Sequence, residues 1–211
     1  MRTYLSIKLL LTIVLACAAA DTLQAQGIKG RELLGVRVGG IITTGELNDK
    51  FGSGSEIEIH FIEGIGIWFG VNISLSSHNL GESKDRSKDL LCTLMNREVN
   101  LHIYSITVAF FALRSLDKRL SATAEAGFGL YTINAVIPAG IYEGNITDNQ
   151  FGLYGGTGLL FRLTQSLSLN AVAKYHYIFS GSDRWHTVYC YTGKERVGVY
   201  QIALGITIFT G

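Results

Sequence analysis

The stretch Ile65-Gly-Ile-Trp-Phe-Gly-Val-Asn-Ile-Ser-Leu75 alternates without a break between two kinds of residue. Ile65, Ile67, Phe69, Val71, Ile73 and Leu75 fall on one side, and Gly66, Trp68, Gly70, Asn72 and Ser74 on the other. A period of two marks an extended strand with one apolar and one polar face, because successive Cβ atoms of a strand point to opposite sides. Helices and loops do not sustain this pattern over eleven residues.

The same sorting works along the rest of the chain. Leu34, Val36, Val38 and Ile42 oppose Gly35, Arg37, Gly39 and Thr43 in a first strand, and Ile57, Ile59 and Phe61 oppose Glu56, Glu58 and His60 in a second. Glu63-Gly64 is read as a direct turn into the third strand at Ile65. The fourth segment is irregular, since Val99, Leu101 and Ile103 are apolar at odd positions whereas Ile106, Val108 and Phe110 are apolar at even ones. One extra residue near Tyr104 would restore the phase, so a β-bulge is expected there.

Ala122, Ala124, Ala126, Phe128 and Leu130 form the apolar face of a fifth strand, with Thr123, Glu125, Gly127, Gly129 and Tyr131 opposite. The sixth offers Leu153, Leu159, Phe161 and Leu163 against Tyr154, Gly156, Gly158 and Arg162. The seventh sets Leu167, Leu169, Ala171, Ala173, Tyr175 and Tyr177 against Ser168, Asn170, Lys174 and His176. The eighth sets Tyr200, Ile202, Leu204, Ile206 and Ile208 against Gln201, Ala203, Gly205 and Thr207.

The connections alternate in length. Glu63-Gly64, Arg114 to Arg119 and Thr164 to Ser166 are short, while the stretches near Gly45 to Ser55, Ser77 to Met95, Asn134 to Gln150 and Phe179 to Arg196 are long and polar. Eight strands with this rotation of turns and loops read as an antiparallel transmembrane β-barrel, short turns on the periplasmic side and long loops outside. Gly 25 against Pro 1 suits strands that pack closely without losing ladder hydrogen bonds.

At the N-terminus, Arg2 and Lys8 precede an uncharged run from Leu9 to Ala20, the pattern of a secretory signal. Cleavage is expected after Ala20 or Ala25, with Ala25 preferred, and lipidation at Cys17 is a rival. The organisation is then a signal over 1–25 and a barrel over 26–211. Without Arg2, Lys8 and Asp21 the chain has 16 basic and 16 acidic residues, 18 minus 2 and 17 minus 1. Neutrality gives no sign of a nucleic-acid partner.

Periodicity does not say whether the apolar face meets lipid or lines the cavity of a periplasmic ligand-binding calyx. The opposite face carries glycines together with Arg37, Glu125, Arg162 and Lys174, which suits a crowded lumen better than a solvated exterior.

Leu34-Gly-Val-Arg-Val-Gly-Gly40, Ala124-Glu-Ala-Gly-Phe-Gly-Leu-Tyr131, Gly155-Gly-Thr-Gly-Leu-Leu-Phe-Arg-Leu163 and Ser168 to Tyr177 resemble the small outer-membrane β-barrels of Gram-negative bacteria, the superfamily of the OmpA-type transmembrane domain. The resemblance covers nearly the whole chain beyond residue 25 and is specific to fold rather than activity. It implies residence in the outer membrane, contact with its lipid and lipopolysaccharide, and delivery through the barrel-assembly machinery. The ending departs from the usual pattern, because Phe209 has lumen parity and is followed by Thr210 and Gly211.

Glu125 is the charge of greatest interest, since a carboxylate in a narrow barrel needs a cation, and Arg37, Arg162 and Lys174 share its face. An internal ion-pair network is expected, with a narrow polar pore as the rival. A lipid A-modifying enzyme, an acyl hydrolase or acyltransferase, is the catalytic alternative. His176 and Ser180 look superficially like its pair, but four residues along a strand span about 13 Å, and no catalytic residue is assigned. His60 and His102 read as lumen hydrogen-bonding groups. Cys92 and Cys190 fall in two long loops of an oxidising compartment, where a disulfide between them is a reasonable reading and unpaired loop cysteines are the alternative. His78 and His186 are read into the same loops, but their spacing fits no metal pattern, and neither metal nor cofactor is expected. Function is expected to be structural or to lie in surface contacts made by the loops, toward an extracellular ligand.

Overall fold

The computed structural model describes residues 28–44, 48, 51–82, 100–137, 144–179 and 197–210. Eight strands follow one another: β1 (Glu32–Thr44), β2 (Ser53–Gly64), β3 (Phe69–Glu82), β4 (Asn100–Ser115), β5 (Leu120–Ile137), β6 (Gly144–Arg162), β7 (Leu167–Phe179) and β8 (Val197–Thr210). Each pairs antiparallel with the next, and β1 pairs with β8 from Glu32↔Thr210 to Thr44↔Gly198, closing the barrel. Closure leaves no open sheet edge in the lipid-facing zone, the condition for crossing a bilayer with strands.

The faces sort as the alternation demands. Val38, Ile73, Ile106, Leu130, Leu153, Ile202 and Leu204 point outward and are exposed, whereas Arg37, Asn72, Glu125, Asn170, Lys174 and Gln201 are buried inside. An exterior of large apolar side chains around a polar interior is the reverse of a soluble calyx, so that reading fails.

Three differences from the sequence reading have physical causes. No bulge occurs near Tyr104: β4 runs in unbroken register from Asn100↔Val136 to Ser115↔Ser121, and the register shift lies in β3 between Asn79 and Glu82. Leu101 and Ile103 are apolar and also inward, because they belong to a buried cluster with Ile41, Leu80, Tyr131, Ile133, Ile178, Val197 and Val199 at the long-loop end. The lumen there is greasy, so the apparent phase change is a change of lumen layer.

Second, Glu63-Gly64 does not turn directly into a strand. The chain passes through Ile65–Trp68 before β3 begins at Phe69, and Gly64 pairs with Gly70. Third, the strands continue beyond the apolar alternation, β3 to Glu82 and β5 to Ile137. Beyond the lipid the outward face turns polar, as at Ser77 and Asn79 or Thr132 and Asn134, while Leu80, Tyr131 and Ile133 are apolar and inward, so the apolar-out contrast is lost while ladder pairing continues.

The short connections close tightly. Thr164 Oγ1 accepts from the amides of Ser166 at 3.2 Å and Leu167 at 3.0 Å, the local turn chemistry of a threonine. At this end a second apolar cluster, Ile28, Leu33, Ile62, Phe111, Leu113, Leu160 and Phe209, fills the lumen. The barrel interior is therefore layered, apolar at each end and polar between.

Candidate functional site

The polar layer begins with the β1–β2 hairpin, whose register sets Arg37 opposite Glu58, both with inward parity. Arg37 Nη1 donates to Glu58 Oε1 at 2.6 Å, and its Nε donates to Asn170 Oδ1 at 3.1 Å. From across the barrel, Lys174 on β7 places its ammonium 2.7 Å from Glu58 Oε2 and 2.9 Å from Glu125 Oε1. Asn72 Nδ2 donates to the other Glu125 oxygen at 2.6 Å. Two carboxylates and two cations thus form a neutral cluster joining β1, β2, β5 and β7, all less than a tenth exposed. In a low-dielectric interior such charges persist only when paired and hydrogen-bonded together.

Uncharged groups extend the cluster. Asn170 Nδ2 donates to Thr207 Oγ1 at 2.6 Å, and His60 Nε2 lies 3.2 Å from the same hydroxyl. Gln201 Nε2 donates to Glu58 Oε2 at 3.2 Å, and its carbonyl oxygen lies 2.8 Å from His176 Nε2. The other ring nitrogen of His176 is 2.8 Å from the Tyr131 hydroxyl, and Tyr154 stacks on the imidazole with centroids 5.3 Å apart. Hydrogen bonds therefore run from the charged layer up to Tyr131, a member of the apolar layer at the long-loop end.

Of the residues singled out in the sequence, Arg37, Lys174 and Glu125 come together, with Arg37 Nη1 3.9 Å from the Glu125 carboxylate. Arg162 does not join them. It lies at the short-turn end of β6, with its guanidinium carbon 5.3 Å from the centroid of the Phe209 ring. Inward parity fixes the face of a residue but not its height, and Arg162 is the last residue of its strand. His60 is a lumen group, whereas His102 has outward parity, between the buried Leu101 and Ile103.

His78 is not a loop residue but part of β3, buried, with Nδ1 3.5 Å from Glu56 Oε2 and its ring edge-on to His176 at 5.7 Å. Ser180, Cys92, Cys190 and His186, like residues 1–25, lie outside the described residues. Among the described residues no group of three or more His, Cys, Asp or Glu side chains is arranged to hold a metal ion. Glu58, the residue with the most charged partners, is not singled out by the sequence reading. Its signal is present all the same: counting back from the first long loop sets it opposite Arg37.

Residues 9–207 match the outer membrane protein beta-barrel domain family. Among solved structures, the chain is similar to Ail, the attachment invasion locus protein of Yersinia pestis, in complex with the heparin analogue sucrose octasulfate, at 14% identity and a TM-score of 0.53 over 86% of this chain and 99% of Ail. It is similar to Neisserial surface protein A at 14% identity and a TM-score of 0.56, covering 85% and 97% of the two chains. A major outer membrane protein of Thermus thermophilus aligns at 13% identity and a TM-score of 0.60, covering 85% and 99%. No curated protein matches the chain. At these identities the structural likeness is one of fold. The family match spans nearly the whole sequence and agrees with the closed barrel and its apolar exterior, and outer-membrane barrels keep their short turns in the periplasm and their long loops outside the cell. This chain belongs to the outer membrane protein beta-barrel domain family and is an outer-membrane β-barrel.

Proposed function

We propose that the barrel is a closed anchor, its lumen plugged by the Glu58, Glu125, Arg37 and Lys174 cluster, and that its role is a surface interaction carried by the long external loops. The observation carrying this reading is the cluster itself, which ties opposite walls together between two apolar layers. An eight-stranded barrel has an interior just wide enough for side chains to fill. On this reading a secretory segment over 1–25 is removed during export, and the barrel-assembly machinery inserts the product.

The loop composition bears on the partner. Residues 45–52, 83–99, 138–143 and 180–196 carry eight basic side chains (Lys50, Lys84, Arg86, Lys88, Arg97, Arg184, Lys194, Arg196) and eight acidic ones (Glu46, Asp49, Asp85, Asp89, Glu98, Glu143, Asp183, Glu195). Balanced charge gives no strong field for a polyanion such as the heparin analogue held by Ail. Tyr142, Trp185, Tyr189 and Tyr191 supply aromatic groups of the kind that anchor protein contacts. The fitting ligand is a protein surface engaged by mixed polar and aromatic side chains.

Planar-bilayer recording and cell binding test the two halves. The native barrel is expected to show no steady conductance. Bacteria displaying it are expected to adhere to host-type cells or matrix protein only while residues 83–99 and 180–196 are intact. A large stable conductance would overturn the plugged anchor, and unchanged adhesion after both loops are trimmed would overturn the loop role.

A further inference from the structure

A trough of about 120 Å³ opens on the outer wall of the barrel at the periplasmic end, between β3, β4 and β5. Its floor is made of Ala112, Ala124 and neighbouring alanines, and one wall is the Phe69 and Phe110 pair, with ring centroids 5.2 Å apart. Trp68 and Arg114 stand at its mouth, where the β2–β3 and β4–β5 turns meet and the Leu113 amide donates to the Trp68 carbonyl at 2.8 Å. The register Phe69↔Ala112↔Ala124 shows why the trough exists: two small residues lie side by side where large ones cover most of the belt.

The trough faces lipid, and a hollow with no atoms in it forfeits the dispersion contacts of its lining. An acyl chain fits such a furrow, and what lies at the mouth indicates which lipid. Counting each turn with the strand end before it, Arg114, Lys118 and Arg119 against Asp117 give the β4–β5 connection a net charge of +2 (three minus one), Arg162 gives the β6–β7 connection +1, and Glu63 makes the β2–β3 connection negative. Thus the most cationic of the three short connections sits beside the trough. Basic groups at the edge of an apolar pocket recognise lipid phosphate, and tryptophan favours the headgroup level. We propose that this trough is a binding site for one phospholipid of the periplasmic leaflet, its acyl chain along Ala112 and Ala124 and its phosphate at Arg114.

Native mass spectrometry of the full-length barrel, extracted from vesicles of phosphatidylethanolamine and phosphatidylglycerol, tests this. The protein is expected to retain one phospholipid. Ala124→Phe, which fills the trough without touching the lumen, is expected to lower the retained fraction by at least about fivefold, and Arg114→Gln is expected to lower it less. Ala173→Phe, exposed on the lipid face of β7, serves as the control and is expected to retain lipid. If Ala124→Phe does not fold, Ala112→Leu replaces it. Lipid-free native protein, equal retention in the trough-filled variant, equal loss in the control, or a dimer that the filled trough abolishes would each overturn the assignment.

Discussion

Lys174 and Glu58 meet at 2.7 Å across the lumen although 116 residues separate them in the chain. The contact exists only because the sheet closes, so its energy belongs to the completed barrel and not to any hairpin. Glu58 also takes the Arg37 guanidinium at 2.6 Å, so it holds both cations closely, whereas Glu125 lies 2.9 Å from Lys174 but 3.9 Å from Arg37. Glu58→Ala is therefore expected to destabilise the folded barrel by about 3–5 kcal/mol, the cost of leaving buried charge uncompensated. Glu125→Ala is expected to cost less. Urea unfolding in lipid vesicles measures both, and a smaller loss for Glu58 would contradict the central position assigned to it.

Depth in the membrane decides the effect of charge on the outer wall. Phe69, near the middle of the alternating stretch Ile65 to Leu75, is the first residue of β3 and lies at the periplasmic rim, while Ile73 stands four residues further into the apolar belt. Arginine at Ile73 is expected to cost about 2–4 kcal/mol and at Phe69 about 0–1 kcal/mol. Equal penalties would mean that the belt is centred elsewhere.

Those two residues also show what is and is not legible in the sequence. Alternation from Phe69 to Leu75 is legible because lipid lies on one side and a polar lumen on the other, so the two faces differ chemically. Where the environment changes, the contrast changes with it. At Leu101 and Ile103 the interior is apolar, and the strand looks out of phase although its register is regular. Beyond Ser77 or Thr132 the exterior is water, and strand looks like loop. Arg37, Glu125 and Lys174 are legible as inward residues by parity. Their meeting is not, because height inside a barrel depends on the stagger accumulated around the closure, which no single strand encodes. That is why Arg162, with the same parity, ends up beside Phe209 instead.

Gly39 and Gly40 are neighbours on β1 with opposite faces. A Cβ at Gly39 would lie 2.3 Å from the Ile202 carbonyl oxygen and 2.7 Å from Ala203 Cα, which are backbone atoms that cannot swing aside, whereas at Gly40 the nearest atom is 3.9 Å away. Gly39→Ala is expected to cost about 1–3 kcal/mol through overpacking. Gly40→Ala is expected to be neutral or to gain about 0.5–1 kcal/mol from the stiffer unfolded chain. Paired unfolding curves check the contrast, which disappears if β1 and β8 shift apart to admit the methyl group.

Cys92 and Cys190 lie in the second and fourth long connections, and a bond between them would link the segment after β3 to the segment after β7 across the barrel mouth. We expect that bond in exported protein, because the compartment is oxidising and both segments are long. Joining residues 98 positions apart (190 minus 92) restricts the unfolded chain, a stabilisation of about 2–4 kcal/mol that reduction removes. Alkylation of denatured, non-reduced protein is expected to label neither thiol, and the Cys92→Ser and Cys190→Ser variants to melt alike and below the parent. Two reactive thiols in freshly exported protein would end this proposal while leaving the barrel and its central charge cluster unaffected, since none of the cluster residues lies in either loop.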